Sequence, residues 1–209
     1  MLLIDNTEVV KNVLKFEGNR YYYKFVVIVR KKDYAEGECP VINKEGRREV
    51  CVHQWLISSM KDYERLLPDM LHYAELFKAR LYVTLDRKDL YKTLMYIDTV
   101  VRDALNSVAL GQNNMSCKSL SKLVNSATSV KESNSKEGKC WLFDVDTHDI
   151  STLYPILTTI GEENIIAILQ TKAGAHVVVK KTFNAKSWDG ILPYTEVKEN
   201  ALGLVAMYS

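Results

Sequence analysis

Cysteine is scarce in this chain and forms no pattern. Cys39, Cys51, Cys117 and Cys140 lie far apart, no C-x-x-C occurs, and the four histidines complete no zinc signature. A disulfide scaffold and a zinc module are thereby excluded, and reduced thiols in a cytoplasmic protein are expected. No apolar run approaches the ~20 residues of a membrane helix. The opening Met1-Leu2-Leu3-Ile4-Asp5 meets an acid too early for a secretory signal. The expectation is a cytoplasmic protein with no membrane contact. Charge of one sign is lacking too. Lys+Arg 28 against Asp+Glu 26 leave a net +2, so only a local patch could favour nucleic acid. There is no Walker loop, no G-x-S-x-G and no H-E-x-x-H. Lys186-Ser187-Trp188-Asp189-Gly190 has one residue too many for the K-x-D-G signature of nucleotidyl-transferring ligases. No internal repeat of roughly 20–50 residues is visible.

What is present suffices for a core: 209 residues, of which 47% are hydrophobic, can fill one large domain or two small ones. Residues 7–16 have weak helical spacing. Residues 21–30 and 49–57, rich in aromatic and β-branched side chains, predict two strands of a long hairpin. Its tip, residues 31–48, carries Gly37, Pro40 and Gly46. Ser58-Ser59 with Asp62 predicts a helix start, and Pro68 predicts a second segment over 68–77. Residues 79–85 read as a third strand. Asp86 is placed as the cap of a helix over 88–108, whose Leu90, Leu94, Ile97, Val101, Leu105 and Val108 form a stripe predicted to be buried. Gly111-Gln112-Asn113-Asn114 breaks that helix, and a short helix follows over 118–126. Residues 129–139 are polar and Ser/Lys-rich, a mobile loop or linker. After a strand at 139–146, Asp149 is placed as the cap of a helix over 150–160 closed by Gly161. Strands follow at 164–171 and 175–183, residues 184–200 read as irregular, and a last strand covers 201–208. The fold class is α+β: mixed, mostly antiparallel sheets with packed helices. The division is 1–110, a connecting 111–138, and 139–209, with one continuous domain as the alternative.

The chemistry is concentrated at residues 139–149. Trp141, Phe143 and Val145 share one strand face; Leu142, Asp144 and Asp146 share the other. The two carboxylates project roughly 6.5–7 Å apart along the strand. At an effective dielectric near 20 such a pair repels by about 2.5 kcal/mol. A divalent cation reverses that repulsion, and oxygen-only ligands suit Mg²⁺ or Mn²⁺. The stretch also reads as a strand end where two solvated Asp residues begin a turn. Downstream, Ala173-Gly174-Ala175 is a run of small residues whose amides could approach a phosphate. His176, Val178 and Lys180 follow on one strand face. Arg80, Tyr82 and Thr84 share a face near Arg87, a basic-aromatic surface that can stack bases and hold phosphates, or an ordinary half-exposed strand. Tyr21-Tyr22-Tyr23-Lys24 with Arg30-Lys31-Lys32 offers a second such surface.

Phe143-Asp144-Val145-Asp146 followed by a helix, a strand and Thr171-Lys172-Ala173-Gly174-Ala175-His176 resembles the catalytic core of the archaeo-eukaryotic primase superfamily. That superfamily includes primase-polymerases of phages and plasmids. The resemblance covers about residues 139–209. It implies an RRM-like core and metal-dependent nucleotidyl transfer on nucleic acid. Asp144 and Asp146 would hold Mg²⁺ or Mn²⁺, and His176 would contact the nucleotide phosphates, helped by Lys172, Gly174 and Lys180. A third acid is open between Asp189 and Glu196, neither in a predicted strand. Nucleotides and nucleic acid are the implied partners, and the host cytoplasm the implied location if the chain is phage-encoded. The alternative is a non-catalytic nucleic-acid- or protein-binding accessory protein on the same fold.

Overall fold

The computed structural model describes residues 1–35, 38–39, 48–111 and 117–209, with the side chains of 117–121 outside that description. Gly37, Pro40 and Gly46 of the hairpin tip, and Gln112-Asn113-Asn114, lie outside the described residues. The elements are β1 (Leu2–Asp5), α1 (Thr7–Val13), β2 (Tyr21–Arg30), β3 (Glu49–Ile57), α2 (Met60–Leu76), β4 (Arg80–Thr84), β5 (Lys88–Asp89), α3 (Leu90–Ala109) and α4 (Cys117–Ala127). They continue with β6 (Cys140–Val145), α5 (Ile150–Ile160), β7 (Ile165–Gln170), β8 (Ala175–Lys180), β9 (Thr195–Lys198) and β10 (Leu202–Tyr208). Helices and antiparallel sheets together make an α+β fold. No described helix is long and apolar enough to cross a membrane.

The first sheet runs β1-β10-β4-β2-β3, with β5 on β2; the second runs β7-β8-β6-β9. Every ladder among the described residues is antiparallel, in line with the mostly antiparallel pairing expected, and none of them is parallel. The β2–β3 hairpin forms as its β-branched and aromatic run requires. On β2 the alternation is visible in the packing. Tyr23, Phe25, Val27 and Val29 enter a core with Tyr63, Met70 and Ala74 of α2, while Val26 and Ile28 face the other way. The last strand is the larger surprise. β10, grouped by sequence with residues 139–209, sits in the first sheet between β1 and β4. Leu142, Ala167, Leu169 and Val178 of the second sheet join Val83, Leu85 and Val205 of the first chain segment and β10 in one core. On its other face the second sheet buries Trp141, Phe143, Val145, Val177 and Val179 under Ile156 and Ile160 of α5.

Three local expectations need correcting. α2 is one helix through Pro68, not two segments. Ser59 caps it by accepting from the Asp62 amide, and the stripe Tyr63, Met70, Ala74 stays buried on both sides of the proline. That continuous burial outweighs the hydrogen bond a mid-helix proline removes. The cap of α3 is Asp89, which accepts from the Tyr91 and Lys92 amides. Asp86 instead accepts from Asn134 Nδ2 and from the Cys140 amide, anchoring the start of β6. The α3 stripe is not a buried one: Leu90, Leu94, Leu105 and Val108 are exposed, and Thr93 is the buried side chain of that helix. The helix packs on α4 and on the turn at Lys131–Ser133 rather than over a sheet.

Two buried polar side chains hold the connections around the cleft described below. Asn6 donates to the Gln170 and Leu204 carbonyls and accepts from the Gln170 amide, tying β7 to β10. Lys88 Nζ donates to the Val130 carbonyl, Asn134 Oδ1 and Asn200 Oδ1. Burial pushes that lysine down to about 8, and Asn200 belongs to the short β9–β10 connection.

Candidate functional site

β6 lies between β8 and β9, and the register sets three side chains in one row. Asp144 stands opposite His176 on β8 and opposite Glu196 on β9. Directly opposed residues share a face, with Cβ atoms roughly 4.5–5.5 Å apart. That face looks toward the first sheet. Between the two lies a cleft of about 930 Å³, whose lining includes Asp144, Asp146, Lys172, His176, Glu196 and Lys198 on one side and Arg30, Arg80 and Tyr82 on the other.

Asp144 is the hub. His176 Nε2 lies 3.4 Å from its Oδ1, and Lys198 Nζ 2.5 Å from its Oδ2. Burial opposes ionisation of Asp144, but the hydrogen bonds from His176 and Lys198 outweigh it and hold the carboxyl well below the usual carboxylate range. His176 is buried, and its Nδ1 accepts from the Leu204 amide at 3.4 Å. A ring that accepts there carries its proton on Nε2, facing Asp144. The Lys198 ammonium also reaches Glu196 Oε2 at 2.8 Å. Burial pulls that ammonium down, and the two carboxylates together push it up by more.

The predicted residues divide between those that meet in this cleft and those that do not. Asp144, Asp146, His176, Lys172, Glu196, Arg80 and Tyr82 line it. Asp146 is exposed, just past the end of β6, with its amide bound to the Tyr194 carbonyl. Glu196 does lie in a strand, contrary to the irregular reading of residues 184–200. Asp189 does not join the acids: its Oδ1 accepts from the Val197 amide and so pins β9 in place. Lys180 lies farther along β8, donates to the Glu163 carbonyl, and lines a different cleft with Lys15, Arg87 and Lys139. Arg87 is therefore parted from Arg80 and Tyr82; its guanidinium stacks on Tyr21 at 4.0 Å and pairs with Glu17 at 3.1 Å. Arg80 is committed to Asp33 through two hydrogen bonds of 2.7 and 2.6 Å, and Arg30 lies over the Tyr82 ring at 5.4 Å.

Gly174 has a different role from a phosphate cradle. A Cβ there would lie 2.0 Å from the Val145 carbonyl oxygen and 2.6 Å from the Thr147 amide nitrogen. Its amide already donates to Thr171 Oγ1. Glycine is required so that the β7–β8 turn can press against the chain leaving β6, beside Asp146. Sequence reasoning missed Lys198. The available signal was Thr195-Glu196-Val197-Lys198, where alternation puts Glu196 and Lys198 on one face.

The donor chemistry fits a hard divalent cation: Asp144, Asp146 and Glu196 offer carboxylate oxygens to one cleft. With Lys198 in place, an ammonium holds the position between Asp144 and Glu196. Among the described residues no three His, Cys, Asp or Glu side chains converge as a ligand set, so the carboxylates of this cleft suit a hard cation in type but not in spacing. No family model matches the chain, and no curated protein or solved structure matches it at a significant level.

Proposed function

We propose that the cleft is a nucleotide site of the primase-polymerase kind, serving metal-dependent nucleotidyl transfer on nucleic acid. The observation that carries this reading is the row His176, Asp144, Glu196 across three adjacent strands, with Asp146 beyond the end of the middle one. The connectivity β6-α5-β7-β8-β9, arranged in the order β7-β8-β6-β9 with α5 on one face, supports it. That is the split β-α-β layout expected of an RRM-like core, with a 3₁₀ turn at Ala185–Trp188 where a second helix would stand.

In this reading Asp144, Asp146 and Glu196 hold the cation, which when bound supplies Lewis-acid stabilisation of phosphoryl charge. Asp144 enters that role already ionised at neutral pH. His176, its ring fixed by the Leu204 amide, shares its one N–H, on Nε2, between Asp144 and the phosphate oxygens. Lys172, exposed at the cleft edge, and Arg30 on the facing wall supply further positive charge. The partners are nucleotides and nucleic acid in the cytoplasm, that of a host if the chain is phage-encoded. One observation favours the second reading, a non-catalytic binding protein on this fold: Lys198 already neutralises Asp144 and Glu196.

Nucleotide incorporation on a primed template with Mn²⁺ tests the first reading. Asp144→Asn with Asp146→Asn is expected to abolish it while the variant remains folded. Full activity in that double variant refutes it, and absence of activity in the unaltered protein favours the second reading.

A further inference from the structure

We propose that the cleft at the other end of β6, built around Arg87, is a phosphate site that holds the backbone of a nucleic-acid strand. The inference rests on the preceding reading for the class of partner, and uses neither its acidic row nor its cation. Cys140 lines this cleft and Asp144 the first one. Both point to one face of β6, so the two clefts lie roughly 13 Å apart along the strand. Leu142, in the core, stands between them.

Arg87 is a buried cation whose gripping edge is unfilled. Its side chain is 5% exposed, and the Tyr21 ring, 4.0 Å from the guanidinium carbon, holds its plane. Nη1 donates to the Lys15 carbonyl at 3.4 Å and pairs with Glu17. Nε and Nη2 form the other edge, which can hold a carboxylate or a phosphate at two points. Arg20 fills that edge with Asp89, and Arg80 fills it with Asp33. In Arg87 it is open. Among the described residues Nε has no acceptor, and Nη2 lies 4.0 Å from Glu137, beyond hydrogen-bond reach. A charged donor left buried and unpaired is destabilising, and phosphate oxygens relieve that. Glu17 and Glu137 are 62% and 84% exposed, so both can yield to an incoming anion without loss of packing.

The surroundings suit an anion of several charges. Lys15, Lys136, Lys139, Lys180 and Lys181 line the same cleft of about 710 Å³, and Glu17 and Glu137 are its acids. Six cations with Arg87 against two acids is a strong local excess in a chain of net +2. Lys15, Lys136 and Lys139 are exposed and form no ion pair among the described residues; the pairs here belong to Arg87 and Lys181. Cations drawn from separate chain segments around one open cleft fit linked phosphates better than a single free ion. Such contacts position a strand without reading its bases.

Fluorescence anisotropy of a labelled oligothymidine strand, in EDTA and across a salt series, tests the site without any metal. Arg87→Met keeps the stem, removes the charge, and should weaken binding at least about tenfold. Arg87→Lys keeps the charge without the two-point edge and should recover only part of that loss. Lys15→Gln with Lys139→Gln alters exposed side chains alone, so it keeps the test available if the Arg87 variants do not fold. That pair should reduce the slope of log affinity against log salt by about 1.4, the value for two single-strand phosphate contacts. Lys61→Gln, exposed on α2, is the control and should change neither affinity nor slope. If the strand binds in EDTA but the folded Arg87 and Lys15/Lys139 variants hold it as tightly as the unaltered protein, the inference falls and the nucleic-acid reading stands. Binding that appears only with Mn²⁺, or binding of inorganic phosphate without the strand, also overturns it. If no strand binds even with Mn²⁺, the inference and the nucleic-acid partner fall together.

Discussion

Asp144 and His176 stand opposite one another on antiparallel strands, with Nε2 of the imidazole 3.4 Å from Oδ1 of the carboxylate. That pairing joins two motifs about thirty residues apart in sequence, and it makes the ionisation of Asp144 part of the folding equilibrium.

The sign of that linkage is fixed by the direction of the shift. Burial disfavours the Asp144 anion, but His176 and Lys198 overcome it, so the folded-state value lies below the unfolded one. A carboxyl of this kind stabilises the fold above the unfolded value, about 4, and loses that contribution as pH falls through the folded value. Urea unfolding of the protein and of Asp144→Asn, compared from pH 6 to pH 2, should show the difference. The unaltered protein should lose roughly 2 kcal/mol more than the variant over that span. Parallel pH curves would mean that the ion pairs at Asp144 contribute nothing.

Gly174→Ala should be among the most damaging single substitutions in the second sheet. Its Cβ would meet backbone atoms of Val145 and Thr147, which cannot move without disturbing the end of β6. A loss of about 3 kcal/mol or more is expected by chemical denaturation. Gly138→Ala is the control: its φ is +71°, and nothing lies within 4 Å of the new methyl. It should cost only about 1 kcal/mol, from backbone strain alone.

Arg80 tests whether the facing wall is structural. Its guanidinium and the Asp33 carboxylate are 8% and 4% exposed as side chains and bond to each other at two points. Arg80→Met should destabilise the fold by about 3–5 kcal/mol, because Asp33 is left buried without a partner. Arg80→Met combined with Asp33→Leu should recover most of that loss in equilibrium unfolding. A mild effect of the single change would instead point to an arginine available to ligands.

Strands β2 and β3 were legible because a long alternating run of β-branched and aromatic residues has few other ways to fold. Helix α5 was legible from its ends: Asp149 caps it and Gly161, at φ 84°, closes it. The strand β6 and the facing of Asp144 followed from period two alone. What stayed hidden depends on pairing between distant segments. β9 has four residues and only Val197 buried, too little apolar pattern to register. The entry of β10 between β1 and β4 is set by hydrogen bonds to both neighbours, which no local window contains. For the same reason Lys198 went unnoticed. Its partner Glu196 is two residues away, but Asp144 is brought to it only by the β6–β9 register. Arg87 misled in the opposite direction, since proximity in sequence to Tyr82 did not put it on the same cleft.

The central claim is that one inter-sheet cleft gathers the carboxylates of Asp144, Asp146 and Glu196 around a cation. Paramagnetic broadening tests it most directly: sub-stoichiometric Mn²⁺ is added to ¹⁵N-labelled protein and the amide signals are followed. The account predicts that broadening centres on the amides of Asp144, Val145 and Asp146 together with Glu196, and vanishes in Asp144→Asn with Asp146→Asn. Broadening centred elsewhere, or unchanged in the double variant, would contradict it.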